Sequence, residues 1–330
     1  NYVDDLLYQD QVEDSLLVIS GGGKLNIISL NKYSNVKSNK EQISRNKIAI
    51  IYATGTINSG KGDERSIGSE TTTKAIKKAR EDKNVKAIVF RINSGGGSAL
   101  ASDVILREII LTKNQKKPIV VSMGDYAASG GYYIACAADS IVANPTTITG
   151  SIGVFGMIPN LQKFQKNKLG ITIDTVNTSK SADMGVNRPL TNFERQKIQK
   201  GVEDVYSTFI THVSEGRKMS KIAVDEIGQG RVWTGYDAKL NGLIDTYGGI
   251  EKAIEIAVLL AKIEDYRIIS LPKKKDPFTE LAIKLGEETN ISKIIFEKLG
   301  LNKTEVIDPI NMILQQDKIQ ARIPFIIELK

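Results

Sequence analysis

Residues 118–133 read Pro-Ile-Val-Val-Ser-Met-Gly-Asp-Tyr-Ala-Ala-Ser-Gly-Gly-Tyr-Tyr. The apolar run at 118–123 has the length and β-branched content of a buried strand. Small residues follow, and then a stretch, 130–138, that reads as a short helix. Ser129 falls at the turn between them. Two readings of that serine are open. It is a helix N-cap, a common use of serine before a helix. Or it is a nucleophile presented at the carboxyl end of a strand, with the next N–H groups and the helix start aimed at whatever it attacks.

Upstream, residues 91–98 repeat the arrangement as Arg-Ile-Asn-Ser-Gly-Gly-Gly-Ser. A strand predicted over 85–92 enters a glycine turn and leaves as a helix over 99–111. Glycines let the backbone approach a ligand closely, and free N–H groups there can hold an oxyanion. A plain tight turn is the alternative. A dinucleotide fingerprint starting at Gly95 requires glycine where Leu100 stands. A phosphate loop requires Gly-Lys-Ser/Thr, and the one Gly-Lys near the start, Gly23-Lys24, continues into Leu25. Downstream, residues 149–156 read Thr-Gly-Ser-Ile-Gly-Val-Phe-Gly. Ser151 is either a turn serine or a group that orients a partner.

Around these turns, strands and helices alternate. Strands are predicted at 47–52, 140–143, 152–155 and 171–176. Helices are predicted at 71–81, 160–168, 192–214, 221–227 and 250–261. The alternation argues for an α/β layer structure. Three parts follow: residues 1–46, with helical spacing over 3–18, a triple-glycine break and a polar linker; a main domain over 47–271; and a carboxy-terminal helical tail, 272–330. That tail opens on a breaker, Pro-Lys-Lys-Lys-Asp-Pro at 272–277. Two amphipathic segments, 278–286 and 291–299, come next, and the apolar stretch 319–329 holds a proline. The tail has no core of its own and is expected to pack on the main domain, a partner subunit or a membrane surface.

Composition narrows the chemistry. The 330 residues carry a net charge of +7, with Lys and Arg dispersed among Asp and Glu rather than gathered in a basic stripe. No nucleic-acid binding is expected. The single cysteine, Cys136, forms no internal disulfide, and one histidine, His212, cannot build a His/Cys zinc site. His212 falls inside the helix predicted over 192–214, where histidines more often pack than catalyse. A nucleophilic Ser129 would then need another base, and a lysine with a lowered pKa can serve. No apolar run reaches the eighteen or so residues of a membrane span. The start, Asn1-Tyr-Val-Asp-Asp5, lacks an initiator Met and a signal-peptide pattern and reads as an internal cut.

Taken together, residues 93–98, 123–132 and 149–156 resemble the signal peptide peptidase A, or protease IV, family. Residues 229–235 (Gln-Gly-Arg-Val-Trp-Thr-Gly), Asp237-Ala-Lys239 and Gly242-Leu-Ile-Asp245 resemble it too. Order and spacing fit from about residue 48 to residue 261. One departure is Gly95, where the family usually has proline. The family belongs to the Clp protease and crotonase superfamily, so the resemblance implies an α/β fold of repeated ββα units with flanking helices.

The resemblance further implies a serine endopeptidase with a Ser/Lys dyad, needing no cofactor and no metal. Ser129 would be the nucleophile, the N–H groups of Gly96, Gly97 and Gly130 the oxyanion donors, and Ser151 the hydrogen-bond partner of the lysine. Substrates would be cleaved signal peptides and other unfolded peptides. The assembly would be a homo-oligomer, attached to a bacterial inner membrane through a segment absent from this chain, with its catalytic part on the periplasmic side. The short family form carries its lysine just before an Asp-Met-Gly-like segment. Here Asp183-Met184-Gly185 follows Ala182. The long, two-repeat form also lacks lysine there and takes its base from the amino-terminal repeat. The chain is therefore expected to be the carboxy-terminal repeat of a long form, nearly inactive alone, with the upstream repeat as partner. Tyr2-Val-Asp4 echoes the Leu-Ile-Asp ending at residue 245 and fits such a start. Lys180 is the local substitute, since 180 and 182 point the same way in an extended segment. Two other classes share parts of the pattern: a crotonase-like acyl-thioester enzyme, using the oxyanion turn without Ser129, and a non-catalytic scaffold repeat.

Overall fold

The computed structural model describes residues 7–33, 44–63, 65–272 and 319–322. Helices α1 (Gln9–Ile19) and α2 (Leu30–Tyr33) belong to one compact unit, residues 1–42. α1 buries none of its residues. The second unit, residues 43–330, holds everything else.

That unit opens with β1 (Lys47–Thr54), β2 (Thr56–Asn58), β3 (Ser66–Gly68) and α3 (Ser69–Glu81). β4 (Val85–Ser94) and β5 (Gly96–Ser98) lead into α4 (Ala99–Asn114), and β6 (Ile119–Ala128) into α5 (Gly130–Tyr133). Next come β7 (Ser140–Ala143), β8 (Ile148–Gly150), β9 (Phe155–Gly156) and α6 (Gln162–Leu169). α7 (Asn192–Arg217), α8 (Lys221–Ile227), β10 (Val232–Thr234) and α9 (Gly235–Leu240) follow. β11 (Thr246–Tyr247), α10 (Ile250–Ala261) and β12 (Arg267–Leu271) complete the main run, and β13 (Ile319–Arg322) comes from the tail.

The main sheet runs β10-β8-β6-β4-β1-β12, with β7 and β11 branching from β6, and the small sheet runs β3-β2-β5-β13-β9. β1, β4, β6 and β8 are parallel. The repeated ββα unit is visible in this order. A main-sheet strand is followed by one or two short strands of the small sheet and then by a helix, as in β1-β2-β3-α3, β4-β5-α4 and β8-β9-α6. The fold is therefore α/β of the expected kind.

The period of two along each strand divides the core between two faces. Ala49, Ile51, Ile88, Phe90, Val121 and Met123 pack with α3, α4 and α5. Their neighbours Ile48, Ile50, Ala87, Val89 and Val120 pack against Ala253, Ile254 and Ala257 of α10. Covering both faces explains why these strands read as unbroken apolar runs. Phe90 is fully enclosed, and truncation to alanine there costs about 3–5 kcal/mol.

Three local expectations are corrected. The helix expected at 130–138 is helical only over α5, and 134–138 continue as buried turns. The strand expected at 152–155 is replaced by β8 and β9, because Gly150 (φ 72°) and Ser151 (φ 47°) turn the chain between them. The alternation at 171–176 produces no strand: this stretch is exposed, and no described strand lies alongside to pair with it. The amphipathic segments 278–286 and 291–299 lie outside the described residues.

Candidate active site

The carboxyl ends of β4, β6 and β8 bring the three turns together. β6 pairs with β8 through Ala127↔Thr149 and Ala128↔Gly150. Ser129 and Ser151 are thus each one residue beyond a paired end. Both are buried, and both have positive φ, 54° and 47°. The Ser129 N–H donates to the Gly150 carbonyl at 2.8 Å, and the Ser151 N–H to the Arg231 carbonyl at 2.7 Å.

Ser129 does not cap α5. Its side chain accepts no hydrogen bond from the helix, and its backbone sits at φ 54°, ψ −117°. A non-glycine residue in such a region costs about 1–3 kcal/mol and persists where the surroundings over-determine it. Paired strands β6 and β8 hold it on one side and the α5 turn on the other. Among the described residues the hydroxyl has one long contact, to the Gly153 carbonyl at 3.4 Å. The geometry is that of a serine pushed out of the strand, with Gly130 at the helix start beside it. The Gly130 N–H has no partner among the described residues, as expected of a first helical residue.

The glycine turn lies directly against this point. A Cβ on Gly130 would stand 2.8 Å from Ser102 Oγ and 3.1 Å from Gly96 Cα, and one on Gly131 would meet the Ser94 carbonyl at 2.5 Å. Only glycine permits that approach. Gly97 is equally confined, since its Cβ would fall 2.1 Å from the Ile57 carbonyl of β2. Gly96, at φ 98°, donates its N–H to Ser94 Oγ at 3.1 Å, and Ser94 Oγ donates to the Gly55 carbonyl at 2.6 Å. Of the three glycines expected to hold an oxyanion, Gly96 is thus already engaged, and Gly97 is paired with Ile57 in the small sheet.

The floor beneath Ser151 is built by residues 229–235. β10 pairs antiparallel with β8, and Gly150 lies against the Trp233 ring with no room for a Cβ. The Gly230 N–H donates to the Ile152 carbonyl at 2.8 Å. Among the described residues Ser151 Oγ reaches the Gly230 carbonyl alone, at 3.5 Å. This explains why the 149–156 and 229–235 motifs occur together in one sequence.

The titratable groups divide clearly. His212 Nε2 lies 3.4 Å from Asp103 Oδ1, the oxygen to which the Tyr133 hydroxyl donates at 2.8 Å. His212, and to a lesser degree Tyr133, hold the Asp103 carboxyl below its usual value. The histidine is committed to that trio and not to Ser129. Lys117 is depressed by burial, but its ammonium donates to the carbonyls of Ala79, Arg80 and Asp82. It sits before β6 begins, whereas Ser129 follows its last residue. At roughly 3.3 Å per strand residue, the strand between them alone spans about 30 Å. Lys180 is exposed in the turn at 180–183 and makes no hydrogen bond or ion pair with the described residues. Ala182 is exposed in the same turn.

A clamp that sequence reading missed fixes this turn to α7. Arg188 donates to Asp183 Oδ1 and Glu194 Oε1, both at 2.7 Å, while Thr191 and Glu194 form a capping box. Arg188 holds Asp183 down at about 2 and pushes Glu194 far below the carboxylate range. The Thr-x-x-Glu pattern at 191–194 was the available signal.

The sequence pattern of Peptidase family S49 matches residues 112–264. The chain is 44% identical to Protease 4 of Salmonella typhi over 221 residues, covering 67% of this chain and 36% of that protein. It is 36% identical to the chloroplastic serine protease SPPA of Arabidopsis thaliana, covering 93% of this chain and 50% of that one. It is 32% identical to the putative signal peptide peptidase SppA of Enterococcus faecium, covering 90% and 89%. The chain thus spans between about a third and a half of the first two relatives. Among solved structures, a mutant of the membrane-bound stomatin-specific protease 1510-N is 17% identical, with 70% of this chain covered and a TM-score of 0.43. On residues 112–264 and on the relative whose length it nearly fills, the chain belongs to the signal peptide peptidase A family, Peptidase family S49.

Proposed function

We propose that this chain carries the nucleophile of a serine endopeptidase that cleaves extended, unfolded peptides. The observation that carries the reading is the backbone of Ser129: positive φ, no capping bond, and the open Gly130 N–H next to it. In the reaction Ser129 Oγ attacks the scissile carbonyl carbon and passes its proton to a base. The oxyanion is held by the Gly130 N–H, and Gly97 serves as second donor only on leaving its pairing in the small sheet. Gly96 joins only by exchanging its bond to Ser94 Oγ. The base returns the proton to the leaving amine, and water then releases the acyl group from Ser129. A fluorophosphonate probe applied to the full-length protein tests this. An adduct on Ser129, absent from Ser129→Ala, is the expected result; labelling elsewhere or nowhere overturns it.

The base is a lysine under this reading. Ser151 Oγ, whose contact to the Gly230 carbonyl is a long 3.5 Å, would hold the amine under this reading. The exposed Lys180 is the local source, and a lysine from an upstream repeat of the same protein is the favoured one. The isolated chain is then nearly inactive, because losing general-base help costs roughly 10²–10⁴-fold. Adding the upstream repeat restores activity, and Ala182→Lys is a cruder rescue. Full activity of the isolated chain, abolished by Lys180→Ala, would instead make Lys180 the base.

Cleaved signal peptides are the substrates suggested by the relatives' names, and a homo-oligomer at the periplasmic face of a bacterial inner membrane is the setting. Among the described residues no helix is long and apolar enough to cross a membrane, so attachment falls to a segment outside them.

A further inference from the structure

Residues 229–232, between α8 and β10, are exposed, yet their backbone is tied down on all sides. The Gly228 N–H donates to the Asp225 carbonyl at 3.0 Å, the Gly230 N–H to the Ile152 carbonyl at 2.8 Å and the Arg231 N–H to the Gly228 carbonyl at 3.1 Å. The Gln229 N–H goes to a side chain instead, the Tyr206 hydroxyl of α7, at 2.9 Å. Gln229 has φ 55°, an uncommon backbone for a residue with a side chain and one that persists where its surroundings over-determine it. The far end of the segment is held separately, by Trp233 Nε1 donating to the Ile227 carbonyl at 2.9 Å.

The Tyr206 oxygen serves a second bond, donating to Asp225 Oδ1 of α8 at 2.6 Å. It sits so close to the segment that a Cβ on Gly228 would stand 2.9 Å from it. Burial, and then Asp225, push the phenol up to about 12, so it keeps its proton and its bond to Asp225 through the neutral range. One oxygen thus joins α7, α8 and the 228–231 backbone.

The two residues after this joint are the ones that touch Ser151. The Arg231 carbonyl accepts the Ser151 N–H at 2.7 Å, and the Gly230 carbonyl is the acceptor facing Ser151 Oγ. A Cβ on Gly153 would fall 2.7 Å from Gly230 Cα, so the two loops are in direct contact. Ser151 itself has φ 47°. Two strained turns therefore lean on each other, and a single hydroxyl anchors one of them to a long helix.

We propose that Tyr206 is a positioning residue for peptide cleavage: its hydroxyl fixes residues 229–231 and, through their carbonyls, the direction of the Ser151 hydroxyl. The proposal rests on the endopeptidase reading, in which Ser151 holds the amine of the base. A Ser151 hydroxyl that donates to the Gly230 carbonyl keeps its lone pairs for an N–H of that amine. The lone pair of the amine is then left to take the proton of Ser129. Losing this orientation slows the chemical step and leaves peptide binding alone, so the effect falls on kcat. A tyrosine with a merely structural part would act equally whether or not the Ser151 hydroxyl is present.

The test is a double-mutant cycle in the full-length protein, with circular dichroism to establish folding. Tyr206→Phe is expected to lower kcat for a peptide substrate about tenfold, with KM changed less than about twofold. Ser151→Ala lowers kcat as well, and adding Tyr206→Phe to it costs less than about a further twofold, because the group it acts through is gone. The same tenfold fall in both backgrounds overturns the proposal, as does an effect on KM alone, an unchanged kcat in Tyr206→Phe, or an unchanged kcat in Ser151→Ala. Amide hydrogen exchange read by mass spectrometry needs no turnover. In Tyr206→Phe, residues 150–153 should exchange about tenfold faster while α10 is unaltered; unchanged protection at 150–153 overturns the link. Should Tyr206→Phe fail to fold, Asp225→Ala, which frees the same hydroxyl from its other side, takes its place with the same outcomes. If the unsubstituted protein cleaves no peptide and takes no fluorophosphonate on Ser129, the endopeptidase reading fails, while the exchange result still upholds or overturns the hold of Tyr206 on Ser151.

Discussion

The turns at Ser98 and Ser129 start from the same pattern and end in opposite states. Each follows a ten-residue main-sheet strand, passes through small residues and enters a helix. Ser98 keeps φ at −58°, accepts the Ala101 N–H at 3.1 Å and opens a helix of 16 residues. Ser129 takes φ 54°, caps nothing and opens a helix of 4. A serine cap contributes about 1 kcal/mol, and a strained φ costs about 1–3 kcal/mol. One serine stabilises its helix; the other gives up that gain and keeps its hydroxyl uncommitted. Residue type and position do not separate them, whereas φ does. The Ser129 φ is set by the β6–β8 pairing, in particular the bond from its N–H to the Gly150 carbonyl.

The sharpest way to break this comparison is to remove both hydroxyls separately. Ser129→Ala in the full-length protein is expected to lower peptide cleavage by at least about 10³-fold with an unchanged melting temperature, since no cap and no cavity are involved. Near-normal turnover would leave the strain at Ser129 without a function. Gly130→Ala comes next. Its Cβ has contacts of 2.7 to 3.1 Å with three backbone and side-chain atoms, so the two turns must separate. A fall of about 10²-fold in kcat/KM is expected, measured beside circular dichroism to establish folding. An alanine there without kinetic effect would show that the turns need not touch.

Ser98→Ala should act on stability instead. It removes the α4 cap and costs about 1 kcal/mol in a denaturant titration, with activity lowered less than about tenfold. The smallest effect concerns the tie between the two helices, from the Tyr133 hydroxyl of α5 to Asp103 of α4. The Asp103 carboxyl is depressed in the folded state, mainly by His212. Its contribution is therefore present above the unfolded carboxylate value near 3.8 and is lost as pH falls below it, through the depressed folded value. Asp103→Asn should flatten the decline of melting temperature with pH across that acid range. An unaltered profile would mean that the trio carries no linkage.

The long apolar strands and amphipathic helices were legible because one period accounted for each. The crowded part of the site was legible only in outline. Gly130-Gly131 and Gly95–Gly97 marked close approach, but not that the two turns press on each other. Whether Ser129 caps its helix could not be decided from residue order, because that depends on one dihedral angle imposed by the pairing with β8. The strand expected at 171–176 failed for the reverse reason: its alternation was correct, but a strand also needs a neighbour. β13 was hidden because its pairings join residues far apart in the chain, Gln320 with both Ser98 and Phe155, and nothing local in residues 319–322 specifies the partners. Neither residue order nor the described fold singles out a base: Lys117 is taken up by three carbonyls and Lys180 is exposed.

Cys136 follows α5 closely and is fully enclosed, with its Sγ donating to the Tyr133 carbonyl at 3.1 Å. Burial pushes its thiol up to about 12. Thiolates, not thiols, react with maleimides and iodoacetamide, and access is blocked as well. The chain is thus silent to such reagents while folded. A reporter cysteine placed at an exposed position such as Leu100, on the first turn of α4, would take a single dye with no background. Movement around the site could then be followed by fluorescence without first deleting a native residue.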